Sequence, residues 1–185
     1  MKDADFGDIK SSLYKDDFEC IIGHSVKMDK LYEIVLKILK DDNLPKKMLV
    51  YIRRRPTTFF IAIALCRKFM HVGMLLLGDG VLKKRERNLQ LFQSRNALNL
   101  DRLWICVTTY GKSGEGLNCL GTSYVVLMEP GLSIELEKQA FGRVKRARQE
   151  FTPHLYQIVN IDNYPKQVRI LRQEARTGVF HIDSL

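Results

Sequence analysis

The chain has 185 residues, of which 45% are hydrophobic, so it can bury one core and is predicted to form one globular domain. It contains no run of about eighteen apolar residues and no basic-then-apolar N-terminus, which argues against a membrane span and a secretory signal and predicts an intracellular protein. Residues 1–42 hold 7 Lys/Arg against 10 Asp/Glu, whereas residues 43–185 hold 23 against 11, so the second part predicts a polyanionic partner such as nucleic acid. The four cysteines and four histidines are scattered, and no metal site is predicted.

The chain divides into an arm or linker at residues 1–24, a domain at 25–176 and a tail at 177–185. Ser25 precedes apolar residues at helical spacing, which predicts a serine-capped helix that ends before Pro45. After it, short apolar strands alternate with helices, a pattern that favours an α/β fold with a parallel sheet covered on both faces. The predicted strands are 48–52, 72–77, 103–108, 124–128 and 155–159, and the predicted helices are 57–69, 82–94, 133–148 and 164–176.

A glycine-rich turn follows the third predicted strand. Ligands of parallel sheets bind at the carboxyl ends of the strands, so the turn is a candidate binding loop. The stretch Gly111-Lys112-Ser113 resembles the end of a phosphate-binding P-loop, but Cys106 stands where that motif needs its first glycine, and we reject this interpretation. The glycines at 111, 114 and 116 favour a backbone that approaches a phosphate, and a purely structural turn is the alternative.

The helix predicted at 133–148 carries arginines at helical spacing. Gln139, Arg143 and Arg146 are spaced i, i+4 and i+7, which would put them on one face. A guanidinium is always charged and offers a planar fork of donors that matches phosphate oxygens. Gly142 weakens the helix, which suggests that a ligand or partner approaches the backbone there. The alternative is a solvated basic helix face.

Taken together, these elements resemble the C-terminal RecA-like lobe of superfamily-two helicases of the Swi/Snf chromatin-remodelling and DNA-repair type. The resemblance covers about residues 25–160, and one element is similar to the branch of repair translocases with a ring-finger insertion. Its elements, in order, are the opening strand Lys47–Ile52, the G-x6-R-x6-F element in Leu77–Phe92, the Gly114-Glu-Gly-Leu-Asn118 motif, Leu127-Met-Glu-Pro130 for the ring-finger branch, and the Gln139–Gln149 motif.

The resemblance implies a RecA-like three-layer α/β/α fold and a DNA-stimulated ATPase in which ATP with Mg is held between two lobes, mainly by an N-terminal one. Arg143 and Arg146 would be catalytic arginine fingers. The implied ATP-binding residues are Gly114, Gly116, Asn118 and Gln139, and the implied nucleic-acid-binding residues are Thr109, Tyr110 and Lys112. The implied partners are double-stranded DNA, nucleosomes and the N-terminal lobe, and the implied location is the nucleus.

The sequence also departs from the family pattern. Arg148 occupies the usual glycine of the last motif, and Tyr110 stands where a threonine often contacts DNA. The chain contains no P-loop and no Asp-Glu-x-His box, so we predict no ATP hydrolysis by this chain alone. Two alternatives stay open: a non-catalytic DNA- or protein-binding module derived from such a lobe, and an unrelated phosphate-binding α/β domain.

Overall fold

The computed structural model describes residues 25–77, 82–93, 102–113, 119, 121–145 and 152–159, without the side chains of 82–85, 112, 113 and 134. The helices are α1 (Val26–Leu39), α2 (Arg55–Lys68), α3 (Leu82–Gln93), α4 (Tyr110–Ser113) and α5 (Ile134–Gly142). The strands are β1 (Lys47–Ile52), β2 (Gly73–Leu76), β3 (Trp104–Thr109), β4 (Tyr124–Leu127) and β5 (His154–Gln157). The predicted helix 164–176, the arm and the tail lie outside the described residues.

The described strands form one sheet in the order β2-β3-β1-β4-β5, and every neighbouring pair is parallel. Strand β1 is central: Met48 pairs with Ile105 on one side and with Tyr124 on the other. All six residues of β1 are buried, because a central strand is covered on both faces and must be apolar throughout. The parallel sheet predicted from the apolar runs is therefore confirmed.

The direction of each connection decides which face of the sheet a helix covers. The connection from β1 to β2 runs toward one edge, whereas the later connections run the other way. Right-handed crossovers then place α2 on one face and the later helices on the opposite face. The first core contains Leu31 of α1 and Ile61 of α2, and the second contains Phe92 of α3, Tyr110 of α4 and Phe141 of α5. The predicted three-layer α/β/α arrangement is confirmed.

Helix α1 begins where the sequence predicts, but without the predicted cap. Ser25 has extended backbone angles and accepts hydrogen bonds through its carbonyl from the amides of Met28 and Asp29, while its side chain makes no capping bond. Leu31 and Val35 face the sheet and are fully buried. The helix is therefore held mainly by its apolar face. Among the described residues, no helix combines the length and apolarity that a membrane crossing requires.

The amino-terminal edge of the sheet is closed by polar side chains. The Tyr124 hydroxyl donates to Asp41 at 2.7 Å, and the Tyr124 ring stacks on His154 with 5.7 Å between centroids. The hydrogen bond from Tyr124 lowers the pKa of Asp41, and burial raises the pKa of Tyr124. These contacts fix the end of the sheet opposite to the strand-end loops.

Candidate functional site

Helix α5 begins with a side-chain cap. Ser133 has extended backbone angles, and its hydroxyl accepts a hydrogen bond from the Leu136 amide at 3.3 Å. Such a cap satisfies an amide that the first helical turn leaves without a partner. The predicted start of the arginine helix is therefore confirmed.

A buried carboxylate joins α5 to the sheet. Glu137 accepts a hydrogen bond from the Gly131 amide at 2.6 Å and another from the Gln157 side chain at 3.3 Å. The Tyr51 hydroxyl also reaches the Ala140 carbonyl, at 3.4 Å. These contacts tie the helix to the loop after β4, to β5 and to β1, so its orientation is fixed from three directions.

The predicted end of the helix at residue 148 is wrong. Helix α5 ends at Gly142, and the amides of Val144 and Lys145 both donate to the Phe141 carbonyl, at 2.9 and 3.0 Å. The Val144 side chain is fully buried in the second core. Glycine has a low helix propensity, and the chain leaves the helix at this residue and turns inward. Arg146 lies outside the described residues.

Gln139 and Arg143 nevertheless keep their helical spacing. The Arg143 amide donates to the Gln139 carbonyl at 3.2 Å, so the i to i+4 relation continues through Arg143. Gln139 is exposed and Arg143 is half-buried. Arg143 forms no salt bridge with another described residue. An added Cβ at Gly142 would meet no described atom within 4 Å, so this end of the helix is open.

The residue that follows the glycine turn contacts the end of the arginine helix through the backbone. The predicted ligand residues Gly114, Gly116 and Asn118 lie outside the described residues, but the residue that follows them is described. The Cys119 amide donates to the Arg143 carbonyl at 3.2 Å. Cys119, which borders the turn, therefore lies directly beside Arg143, and the shared site stays a prediction.

The predicted nucleic-acid residues differ in accessibility. Thr109 is the last residue of β3 and is buried, and the side chain of Lys112 is outside what is described. Tyr110 is 4% exposed; its hydroxyl donates to the Glu129 carbonyl at 2.6 Å, and its ring stacks on Tyr51 at 5.4 Å. Burial, with the nearby charge of Glu137, raises the pKa of Tyr110, so the hydroxyl stays a neutral donor. Contact with nucleic acid at Tyr110 would have to come from its backbone.

Sequence reasoning missed a basic run at the carboxyl end of the central strand. Arg53, Arg54 and Arg55 follow β1 and are exposed. The Arg53 amide donates to the Glu129 side chain at 3.3 Å, which joins this run to the loop after β4. The signal was available, because three arginines directly after a predicted central strand lie at the ligand-binding edge of a parallel sheet.

A cavity of about 250 Å³ opens beside this run. Its walls include Ser25 and Lys27 at the start of α1, Ile52 at the end of β1, Phe60 in α2 and Glu129 after β4. In the described ranges, no three His, Cys, Asp or Glu side chains are grouped to hold a metal ion.

Comparison with known proteins gives structural likeness without sequence-level matches. No protein-family model and no curated protein matches the chain. The C-terminal part of the Fun30 ATPase domain is similar, with a TM-score of 0.67 and 18% identity over 88% of this chain. The yeast DEAD-box splicing factor Prp28 has a TM-score of 0.62 and 20% identity over 85% of this chain. The C-terminal domain of the Sulfolobus solfataricus SWI2/SNF2 ATPase has a TM-score of 0.53 and 16% identity over 82% of this chain.

These similarities show the fold. The chain has the RecA-like α/β fold of the helicase lobes in these proteins, as the sequence resemblance implied. It spans 48%, 32% and 58% of the three chains to which it is similar. The likeness extends to both SWI2/SNF2 and DEAD-box proteins, so the ring-finger branch stays a prediction.

Proposed function

We propose that the chain acts as the C-terminal lobe of a Swi/Snf-like DNA-dependent ATPase or translocase. In this role it supplies arginines and DNA-backbone contacts to ATP bound on an N-terminal lobe. The observation that carries the proposal is the hydrogen bond from the Cys119 amide to the Arg143 carbonyl, because it puts the residue that follows the Gly114–Asn118 motif beside a residue of the Gln139–Gln149 motif.

The state of Arg143 supports a role toward an anion. Arg143 is half-buried and has no ion pair among the described residues, which favours a role of its donors toward phosphate oxygens. ATP with Mg would supply the phosphoryl group and would be held mainly by the N-terminal lobe. In this proposal Arg143 and Arg146 stabilise the charge that develops on the phosphate, and Gln139 orients them. A correctly placed arginine is worth about a thousandfold or more in such reactions.

Nucleic-acid binding is proposed for the strand-end edge of the sheet. The basic excess of residues 43–185 and the exposed Arg53–Arg55 run favour the phosphate backbone of double-stranded DNA, free or in nucleosomes. Thr109 and Lys112 border the same edge, at the end of β3 and in α4. This proposal places the protein in the nucleus.

A non-catalytic DNA- or protein-binding module is the second candidate. Two observations favour it: Arg148 replaces the usual glycine of the last motif, and the Tyr110 side chain is committed to packing inside the domain. Such a module would keep the fold and the basic surface, but it would not need Arg143.

A fusion of this chain to the N-terminal lobe of a Swi/Snf-type ATPase separates the two candidates. We expect DNA-stimulated ATP hydrolysis that falls about a thousandfold in Arg143→Gln. The matched control is Lys145→Gln, which removes an exposed charge two residues away on a different side of the chain. Equal losses in both variants would refute the finger role, and DNA binding without any hydrolysis by the fusion would favour the module.

A further inference from the structure

A basic and aromatic patch lies on the side of the sheet opposite to α5. We define the patch as Arg53, Arg54, Arg55, Phe59 and Phe60. Phe59 is 46% and Phe60 37% exposed, and their rings pack edge to face at 6.3 Å. Exposed aromatic pairs beside consecutive arginines are typical of surfaces that bind a partner.

The charges of the patch are placed unfavourably for an isolated helix. Arg54 is the N-cap residue of α2 and Arg55 its first residue, and the first turn contains no acidic side chain. Because the amino end of a helix carries partial positive charge, a cation there is placed unfavourably. Adjacent cations also repel one another. An acidic group bound beside Arg53 and Arg54 would lessen both effects.

The chain itself leads into this patch. Ser25 and Lys27 line the same cavity as Phe60, and Val26 between them is 63% exposed. The polypeptide that precedes Ser25 therefore joins the described domain at the rim of the patch. Any ligand formed by that polypeptide is covalently tied to the domain, which gives it a high effective concentration at the patch.

The composition of that polypeptide complements the patch. Residues 1–24 contain six Asp/Glu against three Lys, and the acidic residues nearest to the domain are Asp16, Asp17 and Glu19. Phe18 lies within this cluster. Ser25 lies six positions after Glu19, and six steps of extended chain span about 20 Å, so the acidic cluster can reach the arginines.

We propose that residues 1–24 bind back onto the patch, with the Asp16–Glu19 cluster against Arg53–Arg55 and Phe18 against Phe59 and Phe60. The segment then neutralises the basic surface and competes with any external polyanion for it. This interaction does not depend on phosphate chemistry at Arg143, which belongs to the opposite face of the sheet.

Photo-crosslinking in the full chain tests the proposal. Phe59→p-benzoylphenylalanine is expected to give cross-links to peptides from residues 1–24. The matched control is Met70→p-benzoylphenylalanine, since Met70 is 77% exposed but follows the other end of α2. We expect at least a fivefold lower yield of the same peptides from position 70. A mixture of light and heavy isotope-labelled protein distinguishes cross-links within one molecule from those between molecules.

Charge variants identify the cause of the contact. The triple variant Asp16→Asn/Asp17→Asn/Glu19→Gln should lower the cross-linking yield from position 59 severalfold. High salt should have the same effect. Equal yields from positions 59 and 70, cross-links only between molecules, or a yield unchanged by the charge variant would overturn the proposal. Cross-linking of position 59 to added duplex DNA, without any cross-link to peptides from residues 1–24, would also overturn the proposal.

Discussion

Replacing Gly142 by alanine is expected to stabilise the chain. Gly142 is the last residue of α5, and its φ is not in the left-handed region, which among the described glycines only Gly121 adopts. A Cβ at Gly142 meets no described atom within 4 Å. Alanine is favoured over glycine by up to about 1 kcal/mol inside a helix, and a terminal residue gains roughly half of that. We therefore expect Gly142→Ala to raise the free energy of unfolding by about 0.5 kcal/mol.

Gly131→Ala provides a matched control with the opposite sign. A Cβ at Gly131 would lie 2.9 Å from Cγ of Glu137 and 3.1 Å from the Ser133 carbonyl oxygen. Glu137 would have to move, which weakens its hydrogen bond from the Gly131 amide at 2.6 Å. Loss of a buried hydrogen bond of this kind costs about 1–3 kcal/mol. The two substitutions add the same methyl group, so their difference measures the local space.

Urea unfolding measures both effects. With a slope of about 2 kcal/mol per molar urea, Gly142→Ala should move the midpoint up by about 0.25 M and Gly131→Ala should move it down by more than about 0.5 M. A lower midpoint for Gly142→Ala at an unchanged slope would show that this position is crowded or not helical, and the open helix end would be refuted. A fusion in which Gly142→Ala is more stable but loses hydrolysis would identify the surface that the first lobe approaches.

Further predictions concern activity, binding and pH. The chain alone should hydrolyse ATP no faster than a buffer blank, with or without DNA, because it contains no P-loop; DNA-stimulated phosphate release by repurified protein that vanishes in Arg143→Gln would contradict this. Duplex DNA should bind weakly and without sequence preference, and fluorescence anisotropy should show log affinity declining with log salt; a flat dependence would exclude counterion release. Arg143→Gln or Arg146→Gln should leave the free energy of unfolding within about 0.5 kcal/mol, and a loss of several kcal/mol would assign these arginines to the fold. The Tyr124 hydrogen bond lowers the pKa of Asp41, so its contribution to stability is present above the usual carboxyl range and disappears as the pH falls through the folded pKa. The free energy of unfolding should therefore change less between about pH 5 and about pH 3 in Tyr124→Phe than in the unsubstituted chain. Identical pH profiles for the two proteins would refute this linkage.

The sheet was predictable because the apolar pattern within each strand indicates how that strand is buried. Continuous apolar runs such as β1 require burial on both faces, and this requirement alone gives parallel strands between helices. The ends of most elements fell within two residues of the prediction. Helix α5 is the exception, since the weakening by Gly142 was interpreted as a sign of a nearby ligand or partner and not as the end of the helix, and no local pattern indicated that Val144 is buried in the core.

The site was predictable only in part, because tertiary contacts decide it. Tyr110 was predicted to contact nucleic acid, but it is the first residue of α4 and its ring packs in the second core with Cys106. The bond from the Cys119 amide to Arg143 joins segments that are distant in sequence, and no local pattern indicates it. The same holds for Glu137, whose partners are Gly131 in the loop after β4 and Gln157 in β5.

The contacts of α5 separate the residues that hold the helix from those that it presents. Glu137 and Ala140 face the sheet and take hydrogen bonds from Gly131, Gln157 and Tyr51, whereas Gln139 is exposed and Arg143 is half-buried at the helix end. Side chains that act on a reacting group must be held within about 0.5 Å of the productive position. A helix anchored to β1, to β5 and to the loop after β4, and open at its end, meets this condition through contacts that do not involve the Arg143 side chain. Loss of the Glu137 anchor would therefore impair the proposed reaction through position, whereas loss of Arg143 would impair it through charge.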